Sequence, residues 1–190
     1  MTGTALALGY HLVSRVAYAG GVGIALARQQ RDQVFTRRDG AEAGFRRFRR
    51  LAATLMNNDV FSFVLLCVVT RRTIEAGPSP SVLLVSGVLL IVVGGWIKVW
   101  AARQLGVPSY YWHNFFAPDP PRSPRSSGPY RFLKNPMYTV GYLPAYGLAL
   151  MCGSWLGLLA AAFDQVAILT FYFLVEKPHF ELLTNGTVRG

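Results

Sequence analysis

The chain has 190 residues, 52% of them hydrophobic, and still carries a formal net charge of +10. With a mean hydropathy of +0.32 it is too apolar for a soluble domain of ordinary surface composition, and its 2 cysteines exclude a disulfide scaffold. The basic residues gather in short stretches between apolar runs, a pattern suited to anionic headgroups and not to nucleic acid.

Five apolar runs, at 5–27, 51–70, 82–102, 137–152 and 155–175, predict transmembrane helices. Most approach the ~20 residues needed to cross a hydrocarbon core of ~30 Å. The expected fold is all-α: an integral membrane helical bundle forming a single domain over 1–190. Within it, 28–50 reads as a basic cytoplasmic loop, 104–136 as a cytoplasmic loop rich in proline and aromatics, and 137–183 as a C-terminal helical hairpin.

No basic residue precedes the first run and no small-residue cleavage site follows it, so a removable signal peptide is not expected. Arg15, with His11 one turn earlier, lies inside this run, as do Asp59, Lys98 and Asp164 in later ones. Such groups are costly in a bilayer unless paired. Arg15 and Asp59 fall at similar depth on consecutive runs, which predicts an ion pair between them, with Asp164 facing the bundle interior. A sharper alternative has Arg15 gripping a lipid phosphate.

Arg28, Arg31, Arg37, Arg38, Arg46, Arg47, Arg49 and Arg50 follow the first run, against only Asp32, Asp39 and Glu42. This segment is expected to be cytoplasmic, which puts the N-terminus outside and the C-terminus in the cytoplasm. Phe45, Phe48, Leu51 and Leu55 recur there at helical spacing with arginines interleaved. The pattern predicts a helix lying at headgroup level before the second span. Arg71 and Arg72 would fall outside, a minor exception.

After the third run comes the cluster Ser109-Tyr110-Tyr111-Trp112-His113-Asn114-Phe115-Phe116. It is either an interfacial aromatic belt or a wall for a cation such as a sulfonium or ammonium. Seven of the 11 prolines lie between Pro108 and Pro136, so the stretch from Pro118 to Gly128 cannot be helical. Beyond it, Tyr130-Arg131-Phe132-Leu133-Lys134-Asn135-Pro136-Met137-Tyr138 opens the fourth run, and Glu176-Lys177-Pro178-His179 closes the fifth. Gly153-Ser154 leaves almost no loop between those runs, so their outer ends must turn tightly and their polar inner ends must meet at one membrane face. Cys67 and Cys152 read as small hydrophobes. No metal-ligand spacing and no nucleotide-binding glycine motif is present, and no metal site is expected.

Gly128-Pro129-Tyr130-Arg131-Phe132, then Asn135-Pro136-Met137-Tyr138 with Gly141 close behind, then Glu176-x-Pro178-His179, resembles the phospholipid methyltransferase and isoprenylcysteine carboxyl methyltransferase superfamily. Within it the likeness is to phosphatidylethanolamine N-methyltransferases, and it extends to Tyr111-Trp112-x-x-Phe115-Phe116. The resemblance implies an integral membrane enzyme using S-adenosylmethionine to methylate a membrane phospholipid. It implies a cofactor pocket lined by Tyr130, Asn135, Pro136, Tyr138 and Glu176, with Gly141 and Lys177 beside them, and Glu176 accepting from the cofactor's amino group. Two positions depart from many relatives: Lys134-Asn135-Pro136 stands where they carry Arg-His-Pro, and Lys177 where they carry a second Glu.

The chemistry constrains the remaining residues. The amine of phosphatidylethanolamine is protonated near neutrality, since an alkylammonium has a pKa of about 10, so a proton acceptor is required unless positioning and exclusion of water suffice. His113 and His179 are the candidate catalytic residues, with Asp119 and Glu181 also near that face. Tyr111, Trp112 and Arg15 are the candidate substrate contacts. The competing readings are a carboxyl O-methyltransferase acting on prenylated cysteine, a membrane reductase of the steroid-reductase kind, and a non-enzymatic scaffold. The sequence leaves the oligomeric state open.

Overall fold

The computed structural model describes residues 2–75, 77–117 and 128–187, with side chains to residue 183. Of the groups considered above, Asp119 and nearly all of the proline connector lie outside the described residues.

The described residues fold as helices and turns in the order α1 (Thr2–Asp32), α2 (Val34–Asp39), α3 (Ala41–Val69), α4 (Pro80–Leu105), α5 (Val107–Tyr110), α6 (Leu143–Cys152), α7 (Trp155–Phe171) and α8 (Lys177–Thr187). Short 3-10 turns lie at His113–Phe115, Gly128–Arg131 and Val140–Tyr142, and a π-helical turn at Tyr172–Glu176 joins α7 to α8. The punctuation follows local chemistry. Gln33 in the left-handed region breaks α1 from α2, and Pro80 sits in the first turn of α4, where its missing N–H costs no bond. Ser154 caps α7 by accepting from the Gly157 N–H at 2.8 Å.

Among the described residues, three helical segments are long and apolar enough to cross a membrane: Ala41–Val69, Pro80–Leu105 and Trp155–Leu183. The five runs expected from hydropathy thus include two that differ. α1 has the length, 31 residues, but glycines, His11, Ser14 and Arg15 dilute its hydropathy. The fourth run is helical only from Leu143, because Asn135 to Tyr142 is taken up by turns that carry Tyr138 inward. α3 also differs from expectation, since it is continuous from Ala41 and has no separate headgroup-level helix. Phe45 and Phe48 are buried at 7% and 0% exposure. They pack on Phe116 at 5.6 and 5.3 Å between ring centroids, and not on lipid.

The interior is layered along α1. Near its start Ala7 joins Phe63, Leu66, Cys67, Ala149 and Ala161 in one apolar cluster. Beyond, Tyr18, Val22 and Leu26 join Phe45, Phe48, Trp112, Phe115, Phe116 and Phe171 in another. Between the two lies a polar layer of His11, Ser14, Arg15, Asp59, Ser62 and Asp164, all buried. Arg15 donates from Nε to Asp164 Oδ1 at 2.7 Å and pairs through Nη2 with Asp59 Oδ2 at 3.0 Å. Nη2 also donates to the Tyr142 hydroxyl at 2.5 Å. His11 Nε2 lies 3.2 Å from Asp164 Oδ1, and its Nδ1 is 3.0 Å from Ser62 Oγ. The expected Arg15–Asp59 pair is present, and Asp164 is a second carboxylate on the same guanidinium.

α4 packs on α6 through small residues. A Cβ added at Gly87 would meet the Gly147 carbonyl oxygen at 2.6 Å, so the two backbones approach as only glycine allows. Val92, Val93 and Trp96 on the far side are exposed, as a lipid-facing surface would be. At the Gly153-Ser154 end of the hairpin, the Arg72 N–H donates to Cys152 O at 2.9 Å, and Thr70 Oγ1 lies 2.6 Å from Ser154 Oγ. That end is remote in the bundle from the arginine-rich one.

Candidate functional site

The polar ends of the C-terminal hairpin meet. Asn135 Oδ1 accepts from the Tyr138 N–H at 3.2 Å, and the Asn135 carbonyl accepts from the Thr139 N–H at 3.1 Å and its hydroxyl at 2.6 Å. The asparagine thereby builds the turn that presents Tyr138, in the manner of an Asx turn. Pro136 is fully buried within it. From α7, Gln165 Nε2 donates to the Tyr138 carbonyl at 3.1 Å and fixes the other side.

Glu176 arrives from the opposite arm of the hairpin through the π turn. On α7 the inward positions are Asp164, Ile168 and Phe171, and an unbroken α-helix would continue them at Val175. A π turn inserts about one extra residue, which rotates the downstream helix by about 100°. Glu176 and His179 are buried instead. The rotation is what turns a carboxylate, and not a valine, into the bundle.

Three segments converge there. The Tyr138 hydroxyl donates to Glu176 Oε1 at 2.6 Å, and Trp112 Nε1 donates to the same oxygen. Trp112 adopts the left-handed region, φ 58 and ψ 36, at a cost of about 1–3 kcal/mol for a bulky side chain. The cost is offset by burial of its indole between Phe48 and Phe171, at centroid distances of 6.2 and 5.5 Å. Tyr130 completes the wall: burial, and after it the negative charge of Glu176, push its phenol well above the usual range. Among the described residues no lysine, arginine or histidine pairs with Glu176, so its hydrogen bonds come from neutral donors.

The other residues singled out in the sequence are more dispersed. His179, 7% exposed, stacks on Phe115 at 3.6 Å, and its Nε2 is 3.3 Å from the Asn114 carbonyl oxygen. His113 is half-buried and meets Phe45 edge to face at 4.6 Å. The hydrogen bonds on Glu176 come from neither histidine. Lys177 is exposed, its Nζ 3.8 Å from Glu181 and 5.8 Å from the Phe173 ring, and so points away from Glu176. A Cβ on Gly141 would meet Pro136 O at 2.8 Å and Lys98 Cβ at 3.3 Å, which makes it a contact residue between the turn and α4. Tyr111 is half-buried with the Arg49 guanidinium over its ring. Arg15 belongs to the polar layer described above.

One residue of this end was not singled out in the sequence. Gln29, 1% exposed, accepts through Oε1 from the Phe35 N–H at 3.0 Å and donates through Nε2 to Thr36 Oγ1 at 2.6 Å and to the Phe115 carbonyl at 3.4 Å. It brackets the basic segment to the aromatic one. Its position in an arginine-rich stretch disguised it as a solvated group.

Tyr138 and Glu176 do share one end of the bundle, but they touch, and no nucleoside-sized gap separates them. The crevice lined by Tyr18, Ala19, Val22, Trp112, Ile168 and Phe171 has essentially no room for a water-sized molecule, whereas ligand pockets begin at roughly 300 Å³. The donor set nonetheless suits a cationic cofactor: a buried carboxylate without a basic partner among the described residues, walled by tyrosine and tryptophan.

A family model for phospholipid methyltransferases matches residues 82–183. The chain is 31% identical over 140 residues to a phosphatidylethanolamine N-methyltransferase of Aspergillus fumigatus, covering 73% of this chain and 15% of that protein. A protein of the same name from Clavispora lusitaniae is 29% identical over 144 residues, covering 70% and 17%. One from Saccharomyces cerevisiae is 35% identical over 95 residues, covering 50% and 11%. The chain therefore spans less than a fifth of the length of these relatives. No solved structure gives a significant match.

Proposed function

We infer the activity from one premise: the chain belongs to the phospholipid methyltransferase family. We propose that it N-methylates the amine of phosphatidylethanolamine, or of its mono- and dimethyl derivatives, with S-adenosylmethionine as donor. The observation that carries this reading is the buried Glu176 carboxylate, which accepts from Trp112 and Tyr138 and has no basic partner among the described residues. A buried carboxylate without a cation is costly, and an incoming ammonium group relieves that cost.

S-adenosylmethionine supplies, when bound, an electrophilic methyl group on a sulfonium. Glu176 would hold its amino group, and the faces of Tyr130, Tyr138 and Trp112 would flank the positive charge. Both hydrogen bonds on Glu176 fall on Oε1, which leaves Oε2 to the ligand. Admission of a nucleoside requires the Tyr138 turn or the Trp112 turn to swing outward. Asn135 and Gln165 hold the turn to which Tyr138 must return. Lys177 lies outside this arrangement, so Glu176 acts without a second acidic contact.

The lipid amine must lose its proton before it can take a methyl group. His113, next to Trp112, and His179, on Phe115, are the candidate acceptors, each held against a phenylalanine ring. Orientation is inferred from the grouping of the arginine-rich segment, the aromatic segment and Glu176 at one end of the bundle. By the positive-inside rule that end faces the cytoplasm, with the N-terminus outside.

The test uses purified protein in lipid with a radiolabelled methyl donor and phosphatidylethanolamine, its monomethyl derivative or a prenylcysteine as separate acceptors. Label is expected in the two phospholipids. Label in the prenylcysteine alone, or no label together with no binding of the donor, overturns the reading.

A further inference from the structure

The arginines of this chain fall into distinct states. Arg15 is buried and held by Asp59, Asp164 and Tyr142. Arg31, Arg38, Arg46 and Arg47 each have a carboxylate within 2.9–3.8 Å. Arg49 is exposed, its guanidinium carbon lies over the Tyr111 ring at 5.1 Å, and no carboxylate pairs with it among the described residues.

We propose that Arg49, braced on Tyr111, holds the phosphodiester of the acceptor lipid at the mouth of the Glu176 site; the assignment rests on the lipid-amine reading above. Stacking on a ring fixes the plane of a guanidinium and leaves its N–H edge free, and that planar fork matches the oxygens of a phosphate. Its neighbours place it correctly. Phe48, the preceding residue, packs on Trp112 at 6.2 Å, and Trp112 follows Tyr111 and bonds Glu176. The consecutive pairs Phe48-Arg49 and Tyr111-Trp112 therefore face one another, with the Arg49–Tyr111 half outermost and the Trp112 half against the carboxylate. A phosphoethanolamine headgroup whose phosphate sits on Arg49 would turn its amine, two carbons on, toward the Trp112 half, where the sulfonium of the donor would lie.

The source of the phosphate is a membrane lipid and not a free ion, because α3 turns apolar after Arg50. Leu51, Val60 and Phe61 are exposed at 44%, 57% and 60% on the helix that carries the arginine into the bilayer. Acyl chains have a surface to follow there.

The experiment measures phosphatidylethanolamine retained by the detergent-solubilised chain in native mass spectrometry, for the wild type, Arg49→Ala, Arg49→Lys and Arg50→Ala. Arg50 is the neighbouring exposed arginine without a ring beneath it. Arg49→Ala is expected to bind about tenfold more weakly, the scale of one charge-assisted contact, with Arg49→Lys intermediate and Arg50→Ala unchanged. In turnover the loss appears in the KM for lipid, with kcat and the KM for donor within about twofold. Melting in detergent checks the fold, and Arg49→Lys carries the test should Arg49→Ala not accumulate. Unchanged binding by Arg49→Ala, or an equal loss in Arg50→Ala, overturns the proposal. Displacement of the lipid by inorganic phosphate at equal concentration also overturns it, in favour of a free-anion site. Wild-type chain that binds lipid through Arg49 but transfers no methyl group removes the activity and leaves the phosphate site standing.

Discussion

Two buried acidic sites lie in this bundle, and they are built on opposite principles. In the polar layer, Asp59 and Asp164 share the Arg15 guanidinium, with His11 against the second of them. At the arginine-rich end, Glu176 is held by an indole and a phenol and has no basic partner among the described residues. Many arginines lie at the same end, yet none of those described is brought to this carboxylate. A group that is buried, oriented by two donors and left without its counterion is arranged for a ligand. A group closed on its counterion is arranged for stability.

The largest effect should come from breaking the closed site. Arg15→Met leaves two buried carboxylates without their cation, and loss of one partner of a buried pair costs about 3–5 kcal/mol. The variant is expected to fail to accumulate in membranes, as read by immunoblot and by melting in detergent; normal melting would show that the layer does not bear on stability. Glu176→Gln sharpens the contrast from the other side. It keeps the shape and both hydrogen bonds while removing the charge, so donor affinity measured by calorimetry should fall about 100-fold, with a melting temperature equal to or above wild type. Trp112→Phe removes one of the two donors on Oε1 and should weaken donor binding by about tenfold, a loss that Tyr138→Phe should match. The smallest effect is expected within the closed site. Asp59 Oδ1 is buried without a partner, so Asp59→Asn should shift stability by no more than about 1 kcal/mol, whereas Asp164→Asn, which loses charge against both Arg15 and His11, should shift it more. Equal shifts would place the two carboxylates on the same footing.

Much of this was legible in the chain. Polar clusters flanking a hairpin with a two-residue turn must share a face, and so Tyr138 and Glu176 could be placed together without coordinates. The Arg15–Asp59 pair followed from depth alone. What the sequence withheld was rotation. Whether Asp164 or His11 faces Arg15 depends on the angle at which α7 and α1 present their faces, and hydropathy does not encode it. The same holds for Phe45 and Phe48, whose spacing suits a surface helix as well as a buried one until Phe116 and Trp112 are found beside them. Gln29 acts through a backbone partner 86 residues away, which no local pattern announces, and the aromatic cluster marks Trp112 without pointing to its carboxylate partner 64 residues on.

The π turn makes the chain unequally tolerant of changes in length. Between Phe171 and Glu176 it carries one residue more than a regular helix needs to bring the glutamate inward. Deleting one residue from Tyr172–Val175 would let the helix close to ordinary pitch with the carboxylate still aimed at Trp112. Adding one would swing it by about 100° toward lipid. Shortening is thus the milder lesion at this point, and descendants of such a chain can lose a codon there more safely than they can gain one.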